Sequence, residues 1–339
     1  MKRLVIIGFI TGALIWLLAL PILVGLFLGD WVEEWTADWP EPDAVDFRSG
    51  WFRSELNWTS ADGIDLALQA RHVPPLRPGL VRIEGLVSTP MTPEPAQLNG
   101  HLGLTGAWHL QGRVTKVASP ATPGLEAHAV HINLAQPSGQ PLTLILRAEQ
   151  LRNRAEPAAP DLRDLRLMAR HRSDDHEAHH LGLDLELEAD NLGPAGLTLS
   201  AGPADPQALA DLIDGLSQWA TAQPDSLAQR MGLLTVAGAW QQLAAAGLVV
   251  QLERLRLGEN VRLSGRWATA LPQPQLEGGG QTTELIDWHV GLATALAAQT
   301  PDQAELEARA WLMTLAQHGW IRLEEEHFRV QVPDRPNQP

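Results

Sequence analysis

The residues best able to do chemistry stand together in the segment HRSDDHEAHH, residues 171–180. The imidazoles of His171, His176, His179 and His180, with the three carboxylates between them, are donors that suit Zn²⁺ or Ni²⁺. The segment lies between two runs that alternate apolar and polar residues, as strands do. We therefore interpret it as a solvated hairpin tip, and keep a metal site at the four histidines as the alternative.

Other chemical motifs are missing from the sequence. There is no G-x-S-x-G, no G-x-x-x-x-G-K-[ST], and no G-x-G-x-x-G between a strand and a helix. The triple glycine at 278–280 follows a proline-rich stretch, which favours a flexible connector. We expect no catalytic residues, no cofactor and no enzymatic activity.

Charge and composition limit the partners. The chain has 339 residues, 25 Lys+Arg against 40 Asp+Glu, a formal net charge of −15 and no cysteine. No cluster of Lys and Arg is visible along the chain, so we expect no nucleic acid partner. The absence of cysteine excludes disulfides and thiolate chemistry.

The N-terminal segment predicts the location. Residues 4–29 carry no charge, follow Lys2 and Arg3, and precede Asp30, Glu33 and Glu34. About 20 apolar residues span a bilayer, and the positive flank stays in the cytoplasm. We predict a single-pass bacterial inner-membrane protein with a cytoplasmic N-terminus, a periplasmic C-terminal domain and the inner membrane as partner. A cleaved signal peptide is the alternative.

Period-two alternation dominates the chain after the anchor. It is clearest in LNGHLGLTGAWHLQGRV, residues 98–114, and in LGLDLELEAD, residues 181–190. Helical spacing appears at 205–222, 283–299 and 301–319. The predicted fold class is α+β: an N-terminal transmembrane helix, then a long curved antiparallel β-sheet with amphipathic helices packed on its apolar face. The predicted segments are an anchor at 1–30, a linker at 31–45, a β-rich domain at 46–333 (strands within 46–200, mixed helix and strand within 205–333) and a disordered tail at 334–339.

The segment DFRSGWFRSELNW, residues 46–58, predicts the first hairpin of this sheet. Ser49-Gly50 suits a tight turn, and apolar residues alternate with polar ones after it. The motif residues Gly50, Trp51, Phe52 and Ser54 resemble the N-terminal signature of the YdgA-like bacterial family of unknown function. That resemblance implies a membrane-anchored, β-rich periplasmic protein. A more distant similarity to AsmA-like envelope proteins implies a sheet with an apolar face and a link to lipid traffic.

Three functions are consistent with this sequence. The first is a non-enzymatic envelope protein that binds or conducts a lipid or other amphiphile, or scaffolds envelope assembly. The second is an adaptor that recruits envelope proteins through its sheet edges. The third is a hydrolase of envelope polymers that uses paired carboxylates. An open apolar face, an uncharged edge strand or two facing acids would distinguish them.

Overall fold

The computed structural model describes residues 45–50, 53–60, 63–72, 81–103, 107–118, 124–156, 159–173, 178–221, 226–268, 274–297 and 299–331. The predicted anchor and the predicted tail lie outside the described residues, as does the linker except for Val45. The chain forms two compact units. Unit 1 takes its residues from Met1–Ala121 and Glu126–Arg147, and unit 2 takes its residues from Thr122–Leu125 and Ala148–Pro339.

Unit 1 is a meander of antiparallel strands. The strands are β1 (Val45–Arg48), β2 (Arg53–Thr59), β3 (Asp65–His72), β4 (Val81–Ser88), β5 (Ala96–Leu102), β6 (Trp108–Ala118), β7 (Leu125–Gln136) and the first half of β8 (Leu142–Asn153). From β1 to β7 each strand pairs with the next one along the chain. The pairing of Val45 with Trp58 and of Arg48 with Glu55 confirms the predicted first hairpin.

Unit 2 continues with antiparallel strands and contains the helices of the described residues. Its strands are the end of β8, β9 (Leu162–Ser173), β10 (His179–Ala189), β11 (Gly193–Ala204), β12 (Val249–Leu257), β13 (Val261–Ala268), β14 (Gln275–Gln281), β15 (Ile321–Glu324) and β16 (His327–Val330). The helices are α1 (Pro206–Thr221), α2 (Leu227–Ala245), α3 (Thr282–Ala297) and α4 (Pro301–Gln317).

The helix starts follow from local sequence. Asp205 accepts a hydrogen bond from the Ala208 amide at 2.8 Å, so it caps α1 as its position before Pro206 predicts. Ser226 caps α2 by accepting from the Gln229 amide at 3.1 Å. Helix α2 runs without a break from Leu227 to Ala245, through the segment TVAGA at 235–239, which contains no proline.

The helices bury their apolar sides on strands of unit 2. Ile286 of α3 and Leu312 of α4 form one core cluster with Val261 and Phe328. Trp288 of α3 packs with Leu162, Ala189 and Ala195 in a second cluster. In a third, Leu243 of α2 packs with Ala204 and Ala208, and Trp240 stacks on Trp267 of β13 with ring centroids 4.6 Å apart.

The predicted fold class was wrong in its balance of helix and strand. The described chain is mainly one antiparallel sheet of 16 strands, hydrogen-bonded in chain order except that β16 lies between β14 and β15. The α+β class expected helices along the apolar face, but the described residues of unit 1 contain no helix. The physical reason lies in the strands of unit 1, where leucine side chains lie over glycines of neighbouring strands and so cover part of the face themselves.

The predicted membrane topology is also corrected. Among the residues described above, no helix combines the length and the apolar character that a bilayer crossing requires. The transmembrane helix and the single-pass inner-membrane localisation are therefore unsupported, and we withdraw both. They were predicted from residues 4–29, which lie outside the described part of the chain.

Candidate functional site

The main candidate site is one face of the unit 1 sheet. Directly paired residues of antiparallel strands point to the same side, so the register defines rows across the strands. One row holds Phe47, Leu56, Leu68, Gly85, Leu98, Gly112 and Ile132. The next row holds Ser54, Ala70, Ile83, Gly100, Leu110 and Leu134. We call the side that carries these two rows the apolar face.

Leucines and glycines interlock on the apolar face. A Cβ added at Gly100 would lie 3.1 Å from Leu110 Cδ1, and one added at Gly112 would lie 3.2 Å from Leu98 Cδ2. Gly85 lies in the same way beneath Leu68. Each leucine therefore leans over the missing side chain of the adjacent strand, which leaves a shallow surface of aliphatic carbon.

The apolar face ends in a row of more polar character. His72, Val81, Leu102, Trp108 and Gln136 are paired across the strands. Trp108 donates its indole N–H to Gln136 Oε1 at 3.0 Å. Tryptophan combines an apolar ring with a hydrogen-bond donor, so this row is a transition from aliphatic surface to polar surface.

The opposite side of unit 1 is charged, and three arginines on it form ion pairs with glutamates. Arg53, Arg71 and Arg82 follow one another in a single row. Arg53 forms an ion pair with Glu55 at 2.5 Å, Arg71 lies 3.6 Å from Glu84, and Arg82 lies 3.0 Å from Glu84. Two glutamates thus pair with three arginines, so every arginine of this row has an acidic partner.

The motif at residues 50–54 is only partly described. Gly50 follows β1 in the connection to β2, whereas Trp51 and Phe52 lie outside the described residues. Ser54 is 1% exposed, and its Oγ lies 3.2 Å from Nε2 of His72, which is 5% exposed. A serine beside a histidine can act as a nucleophile, but a substrate must reach it. At this burial the pair is a hydrogen bond inside the fold that a substrate does not reach.

The three histidines of this segment that the structure describes, His171, His179 and His180, do not share one site. Nε2 of His171 lies 2.6 Å from Nδ1 of His179, and the two rings are 4.7 Å apart. Burial and the neighbouring His179 lower the pKa of His171, which favours its neutral form. His180 follows His179 directly in β10 and so points to the other side of the sheet. His176 lies outside the described residues.

Residues 176–180, HEAHH, also match the zinc-binding pattern H-E-x-x-H, which sequence reasoning on the four histidines missed. That pattern binds zinc on a helix, where two histidines four residues apart share a side. Here the second histidine of the pattern, His180, lies in strand β10. In the described part of the chain, no group of three or more potential ligands is placed to hold a metal ion.

Sequence reasoning missed a row of arginines on unit 2. Arg256, Arg262, Gly279, Arg329 and Arg322 are paired in this order across β12, β13, β14, β16 and β15. We call these five residues the arginine row. Its members are separated by up to 73 positions in sequence, so only the strand register reveals the cluster. The signal available beforehand was an arginine next to an apolar residue in each of four short strands.

Comparison with known proteins adds no assignment: no family model, curated protein or solved structure matches this chain. The resemblances to the YdgA-like and AsmA-like families therefore remain predictions from the short motifs quoted above.

Proposed function

We propose that the protein is a non-enzymatic binding protein whose apolar face in unit 1 holds the aliphatic chains of an amphiphile. The observation that supports this is the row from Phe47 to Ile132, in a unit whose described residues contain no helix of their own. Soluble proteins rarely leave contiguous apolar patches without a binding purpose. Ile132 itself is 38% exposed.

The chemistry of the face favours acyl chains over other apolar partners. Its two rows are aliphatic except for Phe47 and Ser54, and the interlocked leucines and glycines keep it shallow. Ser54 and Leu56 are buried, so the accessible part of the face runs from Leu68 to Ile132. A flexible hydrocarbon chain can follow such a surface, because apolar attraction is non-directional and grows with the area covered. The Trp108 end of the face supplies polar groups suited to a headgroup.

The adaptor hypothesis receives less support. Recruitment by strand addition needs an accessible, uncharged edge. The outer strands of the described sheet are β1 and β15, each of four residues. Both carry an ion pair along the strand, Arg48 with Asp46 and Arg322 with Glu324.

The hydrolase hypothesis also receives less support. Glu253 and Glu277 line one pocket of unit 2. Both are exposed, and each accepts a hydrogen bond from a serine hydroxyl, Ser200 at 3.1 Å and Ser264 at 3.4 Å. A catalytic acid works from a desolvated site, which neither of these side chains has.

The test uses two matched variants of the full chain. Ile132→Glu places a charge on the apolar face, and Leu86→Glu places one on the opposite side of the same unit, where Leu86 is 48% exposed. Binding of a fluorescent long-chain fatty acid is titrated by fluorescence, and lipid that copurifies without detergent is identified by native mass spectrometry. Both variants keep residues 1–44 unchanged, so any binding by that apolar segment contributes equally.

We expect Ile132→Glu to weaken binding by about tenfold, since losing one buried aliphatic contact costs at least about 1.4 kcal/mol. Leu86→Glu should leave the affinity within about twofold, a difference of only about 0.4 kcal/mol. Equal affinities for the two variants, or no bound fatty acid with the wild-type chain, would refute the proposal.

A further inference from the structure

We infer that the arginine row of unit 2 binds a phosphate group, either free or as the phosphomonoester end of a larger molecule. The inference concerns unit 2 alone and does not depend on the proposed function of the apolar face in unit 1.

The arginines lie on the side of the sheet away from the helices. Their chain neighbours Leu257, Val261, Phe328 and Ile321 belong to the core cluster beneath α3 and α4. Successive residues of a strand point to opposite sides, so the arginine beside each of these residues faces solvent. Arg262, Arg322 and Arg329 are exposed, and Arg256 is half-buried.

The row places like charges directly opposite one another. Arg256 is paired with Arg262, and Arg329 with Arg322. Directly opposed like charges destabilise a sheet. Two such pairs in one row would be stabilised by an anion that lies between them.

The protein does not supply that anion. Arg322 forms an ion pair with Glu324 at 3.2 Å, but within the described residues Arg256, Arg262 and Arg329 have no carboxylate within ion-pair distance. The three arginines paired across β2, β3 and β4 in unit 1 differ, because each of Arg53, Arg71 and Arg82 has a glutamate partner. In unit 1 all three arginines of the row have acidic partners. In the arginine row of unit 2, three of the four arginines have none among the described residues.

Gly279 opens a gap between two of these arginines. It lies between Arg262 and Arg329, so their backbones are separated by two strand spacings, about 9.6 Å in all. A side chain would not fit there, because a Cβ on Gly279 would collide with the carbonyl oxygen of Phe328. An oxyanion over Gly279 can accept hydrogen bonds from both guanidinium groups, whose planar forks match phosphate oxygens.

A pocket next to the row has room for the rest of a phosphomonoester. It has a volume of about 580 Å³, and its polar lining consists of Glu253, Arg254, Arg256, Arg262, Ser264 and Glu277. Arg254 forms an ion pair with Glu186 at 3.7 Å, so its positive charge already has an acidic partner. Glu277 and Ser264 can hydrogen-bond the hydroxyl groups of an organic phosphate, whereas a second phosphate there would meet a carboxylate.

The test measures binding to the full chain by isothermal titration calorimetry, with chloride at matched ionic strength as the reference. The probes are inorganic phosphate, glycerol 3-phosphate and phosphatidylcholine vesicles with or without phosphatidic acid. The variants are Arg262→Gln and Arg329→Gln, and the control is Arg71→Gln, whose arginine pairs with Glu84 in unit 1.

Each lost charge-assisted pair of hydrogen bonds should weaken phosphate binding by at least about tenfold. Arg71→Gln should leave it unchanged.

The three probes distinguish the sources of the phosphate group. A free or soluble ligand predicts binding of inorganic phosphate or glycerol 3-phosphate, and a lipid headgroup predicts binding to the phosphatidic acid vesicles. In all three cases Arg262→Gln must weaken binding by at least about tenfold if the inference is right. Binding to none of the probes, or equal loss in Arg71→Gln, would overturn it.

A second readout separates lost binding from lost folding. In phosphate-free buffer, Arg262→Gln removes one of two opposed charges, so its Tm should equal or exceed that of the wild type. Adding phosphate should raise the Tm of the wild type and not that of the variant. A rise of the same size in both proteins would also overturn the inference.

Discussion

At the scale of single residues, Asp161 is the most strongly held carboxylate of the described chain for which a shifted pKa is resolved. It accepts hydrogen bonds from Arg152 Nε and Nη2, both at 2.9 Å, and from Gln150 Nε2 at 2.7 Å. The bond from Arg152 is the main reason that the pKa of Asp161 lies below its ordinary value, and burial opposes that shift. The charged form is therefore favoured in the folded protein.

We expect the contribution of Asp161 to stability to depend on pH. Because its folded-state pKa is lowered, the stabilisation is present above the unfolded pKa, about 3.9, and is lost as the pH falls through the folded value. Asp161→Asn should therefore lower the Tm by a few degrees at neutral pH, and the difference should shrink under acid conditions. Thermal unfolding followed by circular dichroism over a pH series measures this.

The control for this prediction is Asp190→Asn. Asp190 accepts one hydrogen bond, from Arg163 Nη2 at 2.9 Å, and its side chain is 39% exposed. Exposed ion pairs contribute little, so its Tm change should be the smaller of the two. If the effect of Asp161→Asn were the same at all pH values, the charge of Asp161 would not be the source of its stabilisation.

At the scale of elements, α1 and α2 approach closely where two glycines meet. A Cβ on Gly232 would lie 2.8 Å from the Trp219 amide nitrogen and 2.9 Å from the Gly215 carbonyl oxygen. Gly238, six residues further along α2, has nothing within 4 Å of the same position. Gly232 therefore allows α1 and α2 to pack closely, whereas Gly238 faces open space.

The same substitution should have opposite effects at these two positions. Gly232→Ala forces the helices apart, and we expect it to lower the free energy of unfolding by about 1–3 kcal/mol. Gly238→Ala should raise that free energy by about 0.5–1 kcal/mol, because alanine favours the helix and nothing obstructs it. Urea unfolding followed by circular dichroism compares them, and equal effects of the two changes would show that the glycine contact does not set the helix spacing.

At the scale of the whole molecule, the described sheet ends in two short, charged strands. β1 carries the ion pair of Asp46 with Arg48, and β15 carries that of Arg322 with Glu324. Charged side chains and short length protect an edge from pairing with another chain. We infer that these ion pairs limit self-association more than they stabilise the fold, because exposed pairs contribute little energy.

Removing the charges of β15 should therefore increase self-association. The double variant Arg322→Val, Glu324→Val leaves an edge strand of apolar residues, and sedimentation velocity should show a severalfold larger associated fraction at the same concentration. The control is Arg53→Val, Glu55→Val, which removes a similar ion pair from β2, a strand paired on both sides. Association that rises equally in both variants would contradict edge protection.

The sequence predicted most of the strands because each needs only local information. Alternation over residues 98–114 and 181–190 marks strands β5, β6 and β10, although residues 104–106 within the first run lie outside the described chain. The triple glycine at 278–280 was misjudged as a connector. It forms the end of β14, because missing side chains let that strand approach Val261 and Phe328 closely, a contact that no local pattern reveals.

The candidate sites were harder to predict than the strands. The apolar face was expected as a sheet surface, but the helices expected over it are confined, among the described residues, to unit 2. The contact of His171 with His179 follows from the β9–β10 hairpin, in which His171 is paired with Leu181, two residues from His179. The separation of His180 from them follows from strand alternation. The arginine row could not be assembled from the local pattern of its strands, since Arg256 and Arg329 belong to one row only through three successive strand pairings.

The sequence by itself determined the acidic charge, the absence of cysteine, the period-two strands and the capped start of α1, because these depend on composition and on neighbours a few residues apart. Only the tertiary structure decided which side chains share a row, which face the helices cover, and which arginines have an acidic partner. Those properties depend on the register between strands and on helix placement, and both are set by packing between residues far apart in the chain.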